Sequence, residues 1–123
     1  MDLYTKTEMF FRMQLAKRGF KAPLEAGRYY VMCRYLDDDD ESGFLGPMTT
    51  LSSKTMQKHV EWLMHEIDNV DFIVTEIAVF YGETMVRGVG LDSYQWVEYE
   101  RGVGTVAPQI VKKLGDAYAE AFA

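Results

Sequence analysis

The chain of 123 residues is long enough for one globular domain with a buried core, and its 48% hydrophobic and 14% aromatic residues exclude a disordered protein. A single cysteine, Cys33, excludes an intramolecular disulfide and a zinc site built from several cysteines, and the unbroken apolar runs are too short to span a membrane. The net charge of −6 disfavours non-specific binding of nucleic acid through its phosphates and suits a basic partner or a bound cation.

The charge is unevenly distributed along the chain. Residues 1–36 carry seven Lys/Arg and three Asp/Glu, whereas residues 37–123 carry six and sixteen. Arg12, Lys17 and Arg18 interrupt the apolar positions near the N-terminus, so we expect no signal-peptide core there. These features predict a single globular domain over residues 1–123, in a reducing compartment that we take to be the cytoplasm.

A first helix is predicted over residues 6–18. Helical spacing places Met9 and Met13 on one face and Phe11 and Leu15 on another, so this helix is apolar on two sides. We therefore expect Phe11 and Leu15 to face a second layer or a partner.

A strand is predicted over residues 28–36, followed by an acidic run and a loop that extends to Leu51. A second helix begins after Ser52, which can cap it, and ends before Asp68. Its apolar residues have the cleanest amphipathic spacing in the chain: Met56, Val60, Leu63, Met64 and Ile67.

Three more strands are predicted over residues 71–81, 84–89 and 93–100, and a last helix begins near Thr105. The order α-β-α-β-β-β-α predicts an α+β fold with a single-layer, four-stranded mixed sheet and three helices packed on it. The first strand, second helix and second strand suggest a right-handed crossover between parallel strands.

The acidic run has the first half of a calcium loop. Asp38, Asp40 and Ser42 place oxygens at alternate positions, and Gly43 suits the sharp turn. The twelfth position is Thr49 instead of a bidentate glutamate, so the pattern does not predict tight calcium binding. Two interpretations of the run remain open, a solvated loop and a surface for a basic partner.

A short glycine pattern follows the last predicted strand. Gly102-x-Gly104-x-x-Ala107 has the form of an anion-binding loop at a helix N-terminus, and a tight strand-to-helix turn is the alternative. The possible anion-binding residues are Arg101, Gly102, Gly104 and Thr105.

Arg34 and Glu76 are the polar residues that interrupt two apolar strand faces. If the two strands are neighbours, these side chains can form a half-buried ion pair or part of a site. Cys33 is predicted to be a buried packing thiol. His59 and His65 point in roughly opposite directions on the second helix and cannot share a metal.

No catalytic, metal or cofactor signature is present in the sequence, so our leading hypothesis is a non-enzymatic interaction protein with an acidic surface. It would bind a protein with a basic surface, for example as an inhibitor of a nucleic-acid-handling complex, in the manner of a phage or mobile-element accessory protein. We expect no direct contact with nucleic acid or membrane. The predicted partner-binding residues are Asp37, Asp38, Asp39, Asp40, Glu41, Phe11 and Leu15. The alternatives are a structural subunit that forms homo-oligomers and a small-ligand or metal-binding protein.

Overall fold

The structure is a computed structural model that describes residues 3–37, 39, 41–65, 72–92, 95–101 and 106–110, with side chains for residues 5–37, 39, 41–65 and 73–90. Two helices and six strands lie in these ranges, which confirms the α+β class. Their order is α1 (Leu3–Lys17), β1 (Tyr29–Asp37), β2 (Ser42–Thr50), α2 (Ser53–His65), β3 (Phe72–Tyr81), β4 (Thr84–Asp92), β5 (Gln95–Arg101) and β6 (Val106–Ile110).

The strands form one antiparallel sheet in the order β2-β1-β3-β4-β5-β6. The prediction of a four-stranded mixed sheet is therefore wrong in both strand number and strand direction. β1 and β3 are neighbours as expected, but they run antiparallel, because β2 returns alongside β1 before α2 begins. The helical crossover joins β2 to β3 across β1, and α2 contacts all three strands.

β2 occupies a segment that the sequence predicts to be a loop. Its apolar side chains contribute to both faces of the sheet, Phe44 on the α1 side and Leu45 and Met48 on the α2 side. Gly46 has a φ of +109°, and a Cβ there would lie 2.8 Å from the carbonyl oxygen of Val31. Glycine at this position thus lets an irregular edge strand pack closely against β1.

The segment predicted to begin a third helix forms strand β6 instead. Residues 106–110 pair with β5, with Arg101 opposite Val106 and Tyr99 opposite Pro108. The sequence Val-Ala-Pro-Gln-Ile combines β-branched residues with a proline, which an edge strand tolerates. Residues 111–123, the rest of the predicted helix, lie outside the described residues.

The two helices cover opposite faces of the sheet, so the core has two halves. On the α2 side, Val60 and Leu63 pack with the side chains of β1 and β3, including Val31 and Ile77. On the α1 side, eight buried residues form the second cluster: Phe11, Leu15, Leu24, Tyr30, Met32, Ala78, Phe80 and Met85. The sequence predicts three helices packed on the sheet, whereas the described residues contain two, one on each face of the sheet.

The burial of Phe11 and Leu15 corrects their predicted role in partner binding. Phe11 is 0% exposed and Leu15 is 2% exposed, because both point into the sheet. The opposite face carries Met9 and Met13, which are 49% and 58% exposed. The helix does have a second apolar face, but its members are the two methionines.

Candidate interaction site

The acidic run forms the turn of the β1–β2 hairpin. Asp37 is the last residue of β1, and its Oδ1 accepts hydrogen bonds from the backbone N–H groups of Asp39 (3.0 Å) and Glu41 (2.9 Å). The backbone N–H of Asp37 donates to the carbonyl oxygen of Glu41 at 3.0 Å. The Asp37 carboxylate therefore holds the turn by the side-chain-to-backbone bonding typical of aspartate.

The other described carboxylates of the hairpin face solvent. Asp39 and Glu41 are exposed, and no basic side chain of the described residues lies within ion-pair distance of either. Asp38 and Asp40 lie outside the described residues. Among the described residues, the hairpin thus presents two negative charges without an ion-pair partner, and their backbone N–H groups are bonded to the Asp37 carboxylate.

The calcium-loop pattern that begins at Asp38 would end at Thr49, and its second half lies in strand β2. Ser42 and Thr49 both belong to its ladder with β1, with Thr49 opposite Tyr30 and Ser42 opposite Leu36. A strand cannot wrap around an ion as the second half of such a loop does. In the part of the chain that the structure describes, no group of three His, Cys, Asp or Glu side chains could hold a metal ion.

The predicted ion pair between Arg34 and Glu76 is present. The two residues are direct partners in the β1–β3 register, and Arg34 Nη1 lies 3.6 Å from Glu76 Oε1. Arg34 Nε also donates to Ser42 Oγ at 2.7 Å, so the guanidinium connects three strands. Burial raises the pKa of the Glu76 carboxyl, and the neighbouring charge of Arg34 opposes that increase.

A row of aromatic rings with an arginine at each end lies between α1 and β2, and sequence reasoning missed it. The Arg34 guanidinium lies 5.0 Å from the centre of the Phe10 ring, and Phe10 contacts Phe11 edge to face at 5.1 Å. Phe11 contacts Phe44 at 5.9 Å, and the Arg18 guanidinium lies 3.9 Å above Phe44. Stacking of this kind fixes a guanidinium plane. The N–H groups of both arginines also contact neighbouring residues: Arg34 contacts Ser42 and Glu76, and Arg18 contacts Gln14.

The turn between β3 and β4 provides a second cluster that the sequence did not indicate. Glu83 accepts a hydrogen bond from the backbone N–H of Leu24, and Arg12 Nη1 lies 3.3 Å from Glu83 Oε2. The adjoining cleft has a volume of about 120 Å³ and apolar walls that include Leu15 and Phe20. Because Arg12 and Glu83 pair with each other, this cluster fastens α1 and the following loop to the sheet.

The possible anion-binding segment does not precede a helix. Arg101 is the last residue of β5, and β6 begins at Val106, so residues 102–105 connect two antiparallel strands. Gly102, Gly104 and Thr105 lie outside the described residues. The helix N-terminus on which the anion site depended is replaced by an edge strand.

Cys33 lies in the core, as predicted. Its side chain is fully buried on the α2 side of the sheet. Burial raises the pKa of the Cys33 thiol to about 12, against a smaller opposing effect of the backbone hydrogen bond from Leu45. A buried thiol of this kind is a packing group rather than a nucleophile.

Comparison of the chain with protein-family models, with curated protein sequences and with solved structures found no match. Neither of the described helices is both long enough and apolar enough to cross a membrane.

Proposed function

We propose that this protein is a non-enzymatic interaction module that binds a basic surface of a protein partner through the acidic β1–β2 hairpin. One observation carries the proposal: Asp39 and Glu41 are exposed on a turn that the Asp37 carboxylate holds in place. A fixed turn loses less conformational entropy on binding than a flexible loop with the same charges.

The charges on the hairpin suit a partner with clustered lysines or arginines. Unpaired carboxylates on neighbouring residues attract a basic surface over a distance of about one Debye length, roughly 10 Å at 0.1 M salt. Such complementarity accelerates association and selects the partner more than it increases affinity. Binding through the hairpin should therefore be strongly weakened by salt.

A finer form of the proposal is inhibition of a nucleic-acid-handling complex. Carboxylates spaced along a turn can occupy a basic channel that otherwise binds phosphates. Asp39 and Glu41 would then enter the channel, and the paired strands β1 and β2 would hold the turn in position. This form predicts that nucleic acid competes with the protein for its partner.

Capture from the native host lysate tests the proposal. The full-length protein is immobilised, and proteins retained at low salt are eluted with increasing salt and identified. We expect a basic partner that the variant Asp39→Asn with Glu41→Gln captures at least five-fold less well. The control Glu25→Gln with Glu61→Gln removes the same charge from exposed sites elsewhere, and should capture the partner normally. Equal capture by both double variants would contradict the proposal.

A second candidate function, the homo-oligomeric assembly subunit, is favoured by a different observation. Met9 and Met13 form an exposed apolar stripe on α1, whereas Phe11 and Leu15 are used in the core of the same chain. An assembly would therefore use the outer face of α1 in place of the residues that the sequence suggested.

A further inference from the structure

Strand β2 forms one edge of the sheet, and its backbone is paired on one side only. β1 is its neighbour, and no other strand of the described residues pairs with it. None of the nine residues of β2 is buried, whereas β1 and β3 both contain fully buried residues. The described part of the chain therefore leaves the outer edge of β2 uncovered.

The hairpin turn determines which backbone groups of β2 point toward β1. The N–H of Asp37 donates to the carbonyl oxygen of Glu41, so these two residues form a hydrogen-bonded pair at the end of the ladder. Bonded and non-bonded pairs alternate along an antiparallel ladder, and the register with β1 is regular from this pair to Leu45. The next bonded residues of β2 are therefore Gly43 and Leu45.

The two residues between them present unpaired hydrogen-bonding groups at the edge of the sheet. The N–H and C=O groups of Ser42 and Phe44 point away from β1, and no described residue outside the ladder bonds to them. A peptide that extends a sheet pairs with alternate residues of the edge strand in this way. The first half of β2 thus has the donors and acceptors for a seventh strand.

The second half of β2 limits where a further strand can pair. Gly46 has a φ of +109°, and the register with β1 shifts between Val31 and Cys33, opposite this point. Pro47 has no N–H to donate. Because an edge strand with such an interruption does not continue a regular ladder, pairing is confined to residues 42–45, directly after the acidic hairpin.

The charge of the hairpin selects the occupant of this edge. Asp39 and Glu41 lie at the hairpin end of residues 42–45 and have no ion-pair partner among the described residues. A strand that pairs there brings one of its ends to these carboxylates, which favours lysine or arginine at that end. Residues 37–50 contain five carboxylates and no lysine or arginine. A second copy of β2 would therefore bring like charges together and supply no cation.

We propose that β2 binds an extended, basic segment of a protein partner as a seventh strand of the sheet. The segment pairs through its backbone with Ser42 and Phe44, and its lysine or arginine faces Asp39 and Glu41. Leu45, which packs on the α2 side, favours an apolar side chain beside it. This inference rests on the proposed function, because it uses the same hairpin carboxylates, and it adds the conformation of the bound segment.

An NMR titration of isotope-labelled full-length protein with a synthetic peptide tests the proposal. The probe is acetyl-Thr-Val-Thr-Val-Thr-Lys-Arg-amide, whose C-terminal cations meet the hairpin when the peptide lies antiparallel to β2. At saturation, hydrogen exchange of the Ser42 and Phe44 amides should slow by about ten-fold or more, because new bonds protect these N–H groups. The amides of Gly43 and Leu45 already bond to β1 and should change by less than about two-fold.

Three control peptides separate the backbone from the charge. Two carry N-methyl groups, one on the valines and the other on the threonines, so one of the two loses the N–H groups that face β2. That peptide should bind about ten-fold more weakly, and the other should bind like the parent. The third ends in Glu-Glu in place of Lys-Arg and should also bind about ten-fold more weakly, because its charge repels the hairpin.

Two variants test the edge from the side of the protein. Ser42→Pro removes an outward N–H, and Ser42→Ala is the matched control, because both lose the hydroxyl that accepts from Arg34 Nε at 2.7 Å. Ser42→Pro should bind the peptide at least five-fold more weakly than Ser42→Ala. Circular dichroism checks that both are folded, and the methylated peptides provide the same test on the wild-type chain.

Four results would overturn the proposal. They are unchanged exchange at Ser42 and Phe44 with up to 5 mM peptide, unchanged binding of both methylated peptides, equal binding of the Glu-Glu peptide, and slower exchange at these two residues in the protein alone as its concentration rises. The last would show a second copy on the edge.

The proposed function is measured separately, by partner capture with the variant Asp39→Asn with Glu41→Gln. Weaker capture by this variant, together with unprotected Ser42 and Phe44 amides, would show that the hairpin binds without an added strand. Normal capture by it would contradict the proposed function and leave the exchange measurement unaffected. The two proposals can therefore fail independently.

Discussion

Arg34 and Glu76 lie directly opposite each other on β1 and β3, with 3.6 Å between Arg34 Nη1 and Glu76 Oε1. The pair sits where the α1 side of the sheet changes from apolar to polar, beside Phe10 and Ser42. The Arg34 side chain is 38% exposed and the Glu76 side chain 22% exposed, so the acid is the more buried partner. The cost of desolvating the carboxylate exceeds the attraction of the arginine.

This balance predicts the pH dependence of folding stability. Because the folded pKa of Glu76 is raised, the folded state binds more protons than the unfolded state in the pH range just above the ordinary glutamate pKa. The free energy of unfolding of the wild type, relative to Glu76→Gln, should therefore fall as the pH rises through that range. Urea unfolding of both proteins between pH 4 and pH 7 measures the difference, and a difference that does not vary with pH would contradict the assignment.

Replacement of the arginine should increase the same pH dependence. Arg34→Met removes the charge that opposes the rise in the pKa of Glu76 and leaves a half-buried carboxylate without its ion-pair partner. We expect Arg34→Met to be more destabilising at pH 7 than at pH 4.5. The double variant Arg34→Met with Glu76→Gln serves as control, because without the carboxylate this pH dependence should be lost.

Gly46→Ala should destabilise the fold by about 2–4 kcal/mol, because it combines a positive φ with a steric clash. The new Cβ would lie 2.8 Å from the carbonyl oxygen of Val31 and 3.2 Å from Cα of Met32. Gly19→Ala is the matched control, since Gly19 also has a positive φ of +84° but no neighbour within 4 Å of a new Cβ. Its cost should be about 1 kcal/mol. Equal losses for the two variants in urea unfolding would exclude the close approach at β2.

The carboxylates of the acidic hairpin should differ in their effect on stability. Asp37→Ala removes the acceptor of two turn N–H groups and should cost about 1–2 kcal/mol. Asp37→Asn keeps an acceptor oxygen and should cost less. Asp39→Ala affects an exposed side chain and should change the free energy of unfolding by less than about 0.5 kcal/mol. Similar losses for Asp37→Ala and Asp39→Ala would contradict the turn geometry.

Substitutions on the two faces of α1 should differ in their effect on the free energy of unfolding. Phe11→Ala creates a cavity in the core and should lower stability by about 3–5 kcal/mol. Met13→Ala removes a side chain that is 58% exposed and should cost less than about 0.5 kcal/mol in the monomer. Thermal unfolding of both variants in 1 M salt gives the comparison. A larger loss for Met13→Ala would show that the helix is oriented differently.

Much of the fold could be predicted because periodicity and side-chain type agree locally. β1, β3 and α2 lie close to their expected positions, and Ser52 Oγ accepts the N–H of Thr55 at 3.2 Å, as the predicted cap requires. The opposition of Arg34 and Glu76 could also be predicted, because each is the polar residue on an apolar strand face.

The remaining features could not be predicted because they depend on neighbours distant in the sequence. Gly43, Gly46 and Pro47 favour a loop by themselves, whereas in β2 Gly43 makes room for the ring of Tyr35 and Gly46 lies close to β1. Pro108 suits both the first turn of a helix and an edge strand. Arg18 and Phe44 are 26 residues apart, so their stacking follows from the packing of α1 and leaves no sequence signal.

The affinity of the captured partner for the hairpin variant tests the central claim most directly. With purified partner at 50 mM salt, surface plasmon resonance should show that Asp39→Asn with Glu41→Gln raises the Kd at least ten-fold, about 1.4 kcal/mol, mainly through slower association. The charge-matched control Glu25→Gln with Glu61→Gln should change the Kd by less than about two-fold. Exposed charges that lie more than a Debye length from an interface are screened by salt and contribute little to the binding free energy. An unchanged Kd for the hairpin variant, or the same increase in both variants, would contradict binding through the acidic hairpin.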